Sequence, residues 1–429
     1  MIKILFLITL FVTAAVAVPF FSENNDDTLA PLISSPGAEV VPDQYIVVFK
    51  DEIAEERVSC HHHDIGGIVF EERKKLKRRG FMADFISGIK HTYNIGSFKG
   101  YAGKFSHEVL HKIRQSEDVA YVEKDQVVRV GATEPDAPWG LARISHRGRD
   151  GPNIYEYDST AGEGVTVYVI DTGIYINHTD FGGRAEWGVT IPANTPDTDD
   201  NGHGTHVSGT IAGTRYGVAK NARLVAIRVF DANGVGFNSD VIKGIDWAVT
   251  AHNSRSAEAR RTGEVFKGSV INMSLRSDAD TAVDAATNAA VDKGVVVAVA
   301  AGNDDDDACT KSPARAANAI TVGATGADDT RAYFSNWGQC LTIFAPGVNV
   351  LSAYIGSPDA TRILQGTSMA SPHVAGLSAY ILGLTSSPLT PTQVKDRILF
   401  WGTRGILNDV GTDSPNLLAF NGYNLGIPI

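Results

Sequence analysis

The chain has 429 residues, more than one ordinary domain needs, and 43% of them are hydrophobic, which is enough for a well-buried core. Its formal net charge of -11 argues against a nucleic acid as the main partner, because a phosphate backbone attracts basic surfaces.

The first residues have the pattern of a secretory signal peptide. Lys3 precedes a short apolar run, and residues 15–17, Ala-Val-Ala, fit a cleavage site made of small side chains. A membrane anchor would need about 20 apolar residues, more than this run provides before Pro19, and no later stretch is apolar enough to span a bilayer. We predict a signal peptide over residues 1–17 and an extracellular or vacuolar destination.

The segment after it changes from a linker to a folded region. Residues 18 to about 42 are polar and without periodicity. Strand-like DQYIVVFK and GYAGKF, the amphipathic SHEVLHKIRQSEDV and strand-like AYVEKDQVVRV then follow. Ser106 is predicted to cap the helix. The basic run at 73–79 is interpreted as a solvated loop or helix face, with a processing site as the alternative.

From residue 137 onward, apolar strand-like runs alternate with helical stretches. The runs are VTVYVI, LVAIRVF, SVINMSL, VVVAVAA, ITVGAT and LTIFAP. Such continuous apolar strands are buried on both faces, so we predict an α/β domain with a parallel sheet covered by helices on both faces. Functional residues gather at the carboxyl ends of such strands. Asp171 follows VTVYVI, and Asn303 follows VVVAVAAG.

Three motifs supply an acid, a base and a hydroxyl. They are VIDTGI with Asp171, NGHGTHVSGT with His203 and GTSMASPHVAG with Ser368. A serine hydroxyl needs a base to take its proton, and the base needs a carboxylate to orient it. We therefore predict Ser368 as nucleophile, His203 as general base and Asp171 as the orienting acid.

Each motif alone also has an ordinary structural explanation. DTG fits any turn that ends a strand, HGTH lacks the His-Glu-x-x-His spacing of zinc proteases, and GTSMA lacks the last glycine of a lipase elbow. His206 and His373 are predicted to be packed or hydrogen-bonded rather than catalytic.

The order Asp, His, Ser is that of subtilisin. From about residue 43 to 429 the chain resembles the subtilase family of serine proteases, in its proteinase K-like and cerevisin-like branch. The resemblance implies a ferredoxin-like α+β pro-segment within residues 18–131, its inhibitor-like part at about 43–131, and a peptidase domain at 132–429. The pro-segment would act as intramolecular chaperone and inhibitor until self-processing near Gly131–Ala132. The enzyme would be a monomeric endopeptidase of proteins and peptides.

The resemblance also implies the rest of the site. The side-chain amide of Asn303 and the backbone N–H of Ser368 would form the oxyanion hole. Two segments would pair with substrate, and two would wall the primary specificity pocket, so that apolar or aromatic residues are preferred there. The family usually has glycines where this chain has Arg276 and Ser277. The substrate-binding residues are Gly234, Val235, Gly236, Phe237, Ser274, Leu275, Arg276, Ala300, Ala301 and Gly302.

For covalent links and ions, the resemblance implies a disulfide between Cys309 and Cys340. Catalysis would need no cofactor. A structural calcium ion would bind the carbonyls of Ala317 and Ala319, with Asn349 in place of an aspartate. The four aspartates at 304–307 are interpreted as a solvated loop.

Two sequons for N-glycosylation occur in the chain. Asn177-His178-Thr179 is predicted to be a glycosylation site. Asn272-Met273-Ser274 ends in the predicted pocket wall, so we expect it to stay unmodified.

Three alternatives remain. An inactive subtilase could serve as a binding module, but the triad positions and Asn303 are all present. An esterase or lipase would need another residue order. Residues 43–131 could also form a permanent accessory domain.

Overall fold

The computed structural model describes residues 29–34, 40–78, 88–126, 131–385 and 387–423, without the side chains of residues 76 and 77. The chain divides into two compact units, residues 1–128 and 129–427. The expected signal peptide lies outside the described residues. Within the described ranges, no helix is long and apolar enough to cross a membrane.

The described residues of the first unit form a five-stranded sheet with two helices. Its elements are β1 (Leu32–Ile33), β2 (Val40–Phe49), α1 (Glu55–Arg78), β3 (Gly88–Ile95), β4 (Phe98–Lys104), α2 (His107–Arg114) and β5 (Val119–Gln126). The strand order is β1-β5-β2-β4-β3, and β2 is antiparallel to both β4 and β5. The path from β2 to β5 is βαββαβ, which confirms the predicted ferredoxin-like fold.

The core of this unit follows from apolar residues that alternate along β2 and recur at helical spacing in α2. Val47 and Phe49 point from β2 into the core, where they meet Val109 and Ile113 of α2. Ser106 caps α2 by accepting a hydrogen bond from the amide of Val109 at 3.3 Å, as predicted.

The long helix α1 was not predicted from the sequence. Residues 73–78 of the basic run form its last turns, so they belong to a helix and not to a loop, while Arg79 lies outside the described residues. Acidic Glu55 and Glu56 in the first turn and basic residues near the end both suit the helix dipole.

The second unit is built around a nine-stranded sheet. Its elements are β6 (Gly131–Pro135), α3 (Trp139–Ser145), β7 (Ile154–Asp158), β8 (Val165–Asp171), β9 (Ala185–Thr190), α4 (His203–Ala212), β10 (Arg223–Arg228), α5 (Asn238–Thr262), β11 (Gly268–Met273), β12 (Ser277–Asp278), α6 (Thr281–Asp292), β13 (Val296–Ala300), β14 (Lys311–Ser312), β15 (Ile320–Thr325), β16 (Ile343–Pro346), β17 (Val350–Ala353), β18 (Thr361–Leu364), α7 (Thr367–Leu384), α8 (Pro391–Trp401), β19 (Thr403–Arg404) and β20 (Leu417–Leu418).

Neighbouring strands of the large sheet are parallel except β19 and β20, which pair antiparallel at one edge. The strand order is β19-β20-β16-β15-β13-β11-β8-β10-β9. Because successive side chains of a strand point to opposite faces, β8 serves two cores. Val167 and Val169 join the core with α4 and α7, whereas Tyr168 and Ile170 join the core with α5. The predicted parallel sheet with helices on both faces is confirmed.

Candidate active site

The acid and the base predicted from the motifs are in contact. Asp171 is the last residue of β8 and fully buried, and His203 is the first residue of α4. His203 Nδ1 lies 2.7 Å from Asp171 Oδ1, and 29% of the histidine side chain is exposed. This geometry fixes the ring and leaves its other nitrogen, Nε2, for a reacting group.

Glycines allow the close approach of these two elements. Gly173, at φ 112°, turns the chain directly after β8. A Cβ on Gly204 would collide with the carbonyl oxygen of Gly173. The small residues of the two motifs therefore bring the start of α4 against the end of β8.

Asp199, which the sequence did not single out, ties these elements together. This buried carboxylate accepts hydrogen bonds from Thr172 Oγ1 at 2.9 Å and from the amides of Gly202 and Thr205 at 2.8 and 2.9 Å. It thus joins the residue after Asp171 to the residues on both sides of His203. The only signal in the sequence was an acidic residue shortly before a helix.

The charges around His203 decide its protonation. Burial alone would lower its pKa, but the charge and hydrogen bond of Asp171, together with the charge of Asp199, raise the pKa above the usual value for histidine. The imidazole is thereby a better proton acceptor.

Ser368 lies in the first turn of α7, and two hydrogen bonds join it to Ser274. Ser368 Oγ donates to the carbonyl oxygen of Ser274 at 3.2 Å, while Ser274 Oγ donates to the carbonyl oxygen of Ser368 at 2.8 Å. The structure gives no hydrogen bond between the described side chains of Ser368 and His203. The backbone N–H groups in the first turn of α7 lack partners within the helix and are directed out of its N-terminal end, where Ser368 lies.

Asn303 is oriented by Thr367, a second residue that the sequence analysis missed. Asn303 Oδ1 accepts from the amide and the hydroxyl of Thr367 at 2.8 and 2.9 Å. The hydroxyl of Thr367 in turn accepts from the amide of Gly302 at 3.1 Å. Because Thr367 binds the carboxamide oxygen, the Nδ2 group of Asn303 is the part of this side chain that can donate hydrogen bonds.

The expected substrate-binding segments differ in exposure. Val235 and Phe237, in the segment Gly234–Phe237, have 63% and 72% of their surfaces exposed. Ala300 and Ala301 are buried at the end of β13. A Cβ on Gly236 would collide with the carbonyl oxygen of Val229, so the segment lies closely against the residue that follows β10.

An ion pair connects the two expected walls of the specificity pocket. Arg276, which follows Ser274 and Leu275, places Nη2 2.8 Å from Asp304 Oδ1. Its Cδ would lie 3.4 Å from a Cβ on Gly302, so the stem of Arg276 packs on the opposite wall. The wall residues themselves carry no charge, but their rim does.

The other aspartates of the 304–307 run also have defined partners. Asp305 pairs with Arg331 at 2.7 Å, and Asp307 caps a short 3-10 helix by accepting from the amide of Cys309 at 2.8 Å. Among the described residues, no group of three or more His, Cys, Asp or Glu side chains is arranged to hold a metal.

Cys309 and Cys340 form a disulfide with their Cα atoms 5.3 Å apart. It lies beside the small core that Ala308 and Leu341 share. Of the two sequons, Asn177 is exposed, whereas Asn272 is fully buried.

Of the three expected calcium ligands, Ala317 and Ala319 line one cavity, and Asn349 does not. Lys395 Nζ donates to the carbonyls of Ala317 and Ala319, at 3.3 and 2.8 Å. The carbonyl of Asn349 accepts from Trp139 Nε1 at 3.1 Å, and Asn349 does not line the cavity beside the two alanines. Thr342 is among the residues that line this cavity, and Asn349 is not.

Comparisons with known proteins show the family of this chain. The subtilase family model matches residues 162–403, and the peptidase inhibitor I9 model matches residues 44–131. The subtilisin-like proteinase Spm1 of Pyricularia oryzae is 47% identical, over 98% of this chain and 84% of its own length. Alkaline protease 2 of Aspergillus fumigatus is 48% identical, over 95% of this chain and 86% of its own length.

A solved structure shows the same fold. The crystal structure of a cold adapted subtilisin-like serine proteinase is 40% identical, with a TM-score of 0.60, and the match covers 67% of this chain and 98% of that one. The I9 match over the first unit implies that the protein is made as a zymogen. The chain therefore belongs to the subtilase family, as a subtilisin-like serine protease preceded by an I9 inhibitor segment.

Proposed function

We propose that the protein is a serine endopeptidase whose nucleophile is Ser368. The 2.7 Å contact between His203 Nδ1 and Asp171 Oδ1 carries this proposal. His203 takes the hydroxyl proton while Ser368 Oγ bonds to the scissile carbonyl carbon. The C–N bond then breaks, His203 protonates the leaving amine, and water hydrolyses the acyl-enzyme. No cofactor takes part.

In the proposed mechanism, Ser368 changes its hydrogen-bond partner. Its Oγ donates to the carbonyl of Ser274 in the described state, and rotation about its Cα–Cβ bond directs the hydroxyl toward His203 Nε2. Catalytic hydrogen bonds often tighten only when substrate is bound. The oxyanion would bind to Asn303 Nδ2 and the backbone N–H of Ser368.

We propose that substrate pairs as an extra strand with the segments Gly234–Phe237 and Ser274–Arg276. The exposed side chains of Val235 and Phe237 support an apolar contact surface there. Apolar or aromatic residues would precede the scissile bond, because the pocket walls are uncharged. Arg276, held by Asp304, would limit the depth available at the rim.

For maturation, we propose a signal peptide over 1–17, a pro-segment over 18–131 and a peptidase domain over 132–429. The pro-segment assists folding and then inhibits the enzyme. Gly131 and Ala132 begin β6, which pairs with β7 through Asp158 and Tyr157. A cut near this bond leaves the rest of β6 attached to the peptidase. The product would be a monomer in the secretory route, glycosylated at Asn177.

Ser368→Ala tests the nucleophile. Ser378→Ala is the matched control in the same helix, because its hydroxyl donates to the carbonyl of Val374. We expect Ser368→Ala to abolish peptidase activity, self-processing and labelling by a serine-directed phosphonate. The control should retain all three. N-terminal sequencing should find a start near Ala132 only in the active forms. Normal processing in Ser368→Ala would refute the assignment.

A further inference from the structure

Two backbone carbonyls of the peptidase unit belong to residues that line one cavity, and no described residue of the three motifs is among the lining residues. Ala317 and Ala319 precede β15 and line a cavity of about 500 Å³ together with Thr342. Carbonyl oxygens arranged in this way are ligands for a cation.

The chain itself supplies the cation at this position. Lys395 of α8 places its ammonium 2.8 Å from the oxygen of Ala319 and 3.3 Å from that of Ala317. The helix that carries it is fixed: Thr390 and Gln393 form a capping box, and Val394 and Ile398 are buried on either side of the lysine. The ammonium is therefore held by the fold.

The cavity does not suit a divalent ion. The charged residues that line it are Arg315 and Lys395, and no aspartate or glutamate is among the described residues that do so. Calcium needs six to eight oxygen ligands at about 2.3–2.6 Å and usually binds carboxylates. An ammonium already bonded to both carbonyls would repel it.

We propose that the Ala317–Ala319 carbonyl pair is a cation site whose permanent occupant is the Lys395 ammonium in place of calcium. A tethered cation cannot be diluted or chelated, so its contribution to stability does not depend on the concentration of a free ion. This inference is independent of the proposed catalytic roles.

Lys395→Met tests the proposal. Lys243→Met is the control, because the exposed Lys243 pairs with its helix neighbour Asp246. Both are made in the full chain carrying Ser368→Ala, which protects it from self-digestion. Losing the charged hydrogen bonds should lower the Tm of the peptidase unit by ~3–8 °C. The loss should be equal in EGTA and in millimolar calcium, and the control should lose far less. A Tm equal to that of the control would overturn the proposal.

A second variant converts the site. Thr342 Oγ1 accepts from the amide of Thr321 at 3.1 Å, a bond that an aspartate at this position can also accept. Lys395→Ala combined with Thr342→Asp should make the Tm rise with calcium and show anomalous scattering between the two carbonyls in crystals grown with calcium. The unaltered chain should show no such peak, and a calcium peak there would refute the inference. An unresponsive double variant would contradict the assignment of the carbonyls as a cation site.

Discussion

The start of helix α4 holds two histidines with opposite behaviour. His203 begins the helix, keeps 29% of its side chain exposed and bonds to Asp171 at 2.7 Å. His206, less than one turn later, is fully buried and bonds through Nε2 to the carbonyls of Val350 and Arg362, both at 3.0 Å. The pKa of His203 is raised, whereas burial lowers that of His206 to about 4.

The helix α7 repeats this contrast. Its first turn carries Ser368, and its second carries His373, which is buried, bonds to the carbonyl of Met369 at 2.8 Å and has a pKa lowered by burial to about 4. Burial disfavours charge in all three histidines, and only carboxylates reverse that effect. Proximity to the site therefore does not make a histidine a base, and the sign of its partner's charge decides.

Asp171→Asn should have the largest effect on kcat, because it removes the carboxylate that distinguishes His203 from His206. An amide in place of the carboxylate removes the charge that raises the pKa of His203 and favours the wrong imidazole tautomer. We expect kcat to fall ~10⁴-fold while the chain stays folded. Steady-state kinetics on a peptide substrate measures this, and Asp200→Asn, one residue beyond Asp199, serves as control. A loss below tenfold would exclude Asp171 as the orienting acid.

Asn303→Ala tests the proposed oxyanion donor beside the first turn of α7. We expect kcat to fall ~10²–10³-fold with little change in KM, because the oxyanion donor acts only in the transition state. Thr367→Val, which removes the hydroxyl that fixes Asn303 Oδ1 at 2.9 Å, should give a smaller loss of the same kind. An effect confined to KM would mean that the amide binds the ground state.

The buried histidines predict acid lability. Because the folded pKa of His206 is about 4 and the usual value is 6.5, the unfolded chain binds more protons between these values. Stability is therefore full above pH 6.5 and falls as the pH drops toward 4, by up to ~3 kcal/mol. His206→Gln keeps a donor for the carbonyls and removes the titration. In the Ser368→Ala background, its Tm should fall less steeply over this window than that of the histidine form.

Raised pKa values act in the opposite direction. His203 contributes stability that is full below the unfolded pKa and is lost as the pH rises through the higher folded value. His203→Gln should therefore make the Tm less dependent on pH above neutrality. If the Tm of His203→Gln and that of His206→Gln depended on pH in the same way, the opposite directions of the two pKa shifts would be contradicted.

Sequence patterns predicted the parallel sheet because six strands are apolar on both faces. They predicted the contact between Asp171 and His203 because one motif marks the end of a strand and the other the start of a helix. They did not predict α1, whose centre contains Gly66 and Gly67, two residues of low helix propensity. The helix forms because Ile65 and Val69 are buried against the sheet. Tertiary packing overrides propensity here.

The sequence could not reveal contacts between distant residues. Lys395 and Ala319 are 76 residues apart, and no local pattern marks a lysine as the partner of a carbonyl. The same holds for Thr367, whose hydroxyl reaches Asn303, 64 residues away. Asp199 and Asp200 look equivalent in the sequence, but the first is bonded around His203 and the second pairs with Arg228 at 2.6 Å.

The difference between Asp199 and Asp200 gives the finest test of the contrast between His203 and His206. Asp199 adds a second negative charge near His203 and thereby raises its pKa, so Asp199→Asn should shift the acid limb of the kcat/KM profile to lower pH. Asp200→Asn, whose charge is directed to Arg228, should leave the limb in place. A purely structural role of Asp199 would lower kcat/KM equally at every pH. If the limb stays in place while activity falls uniformly, Asp199 only holds the loop, and Asp171 alone sets the pKa of the base.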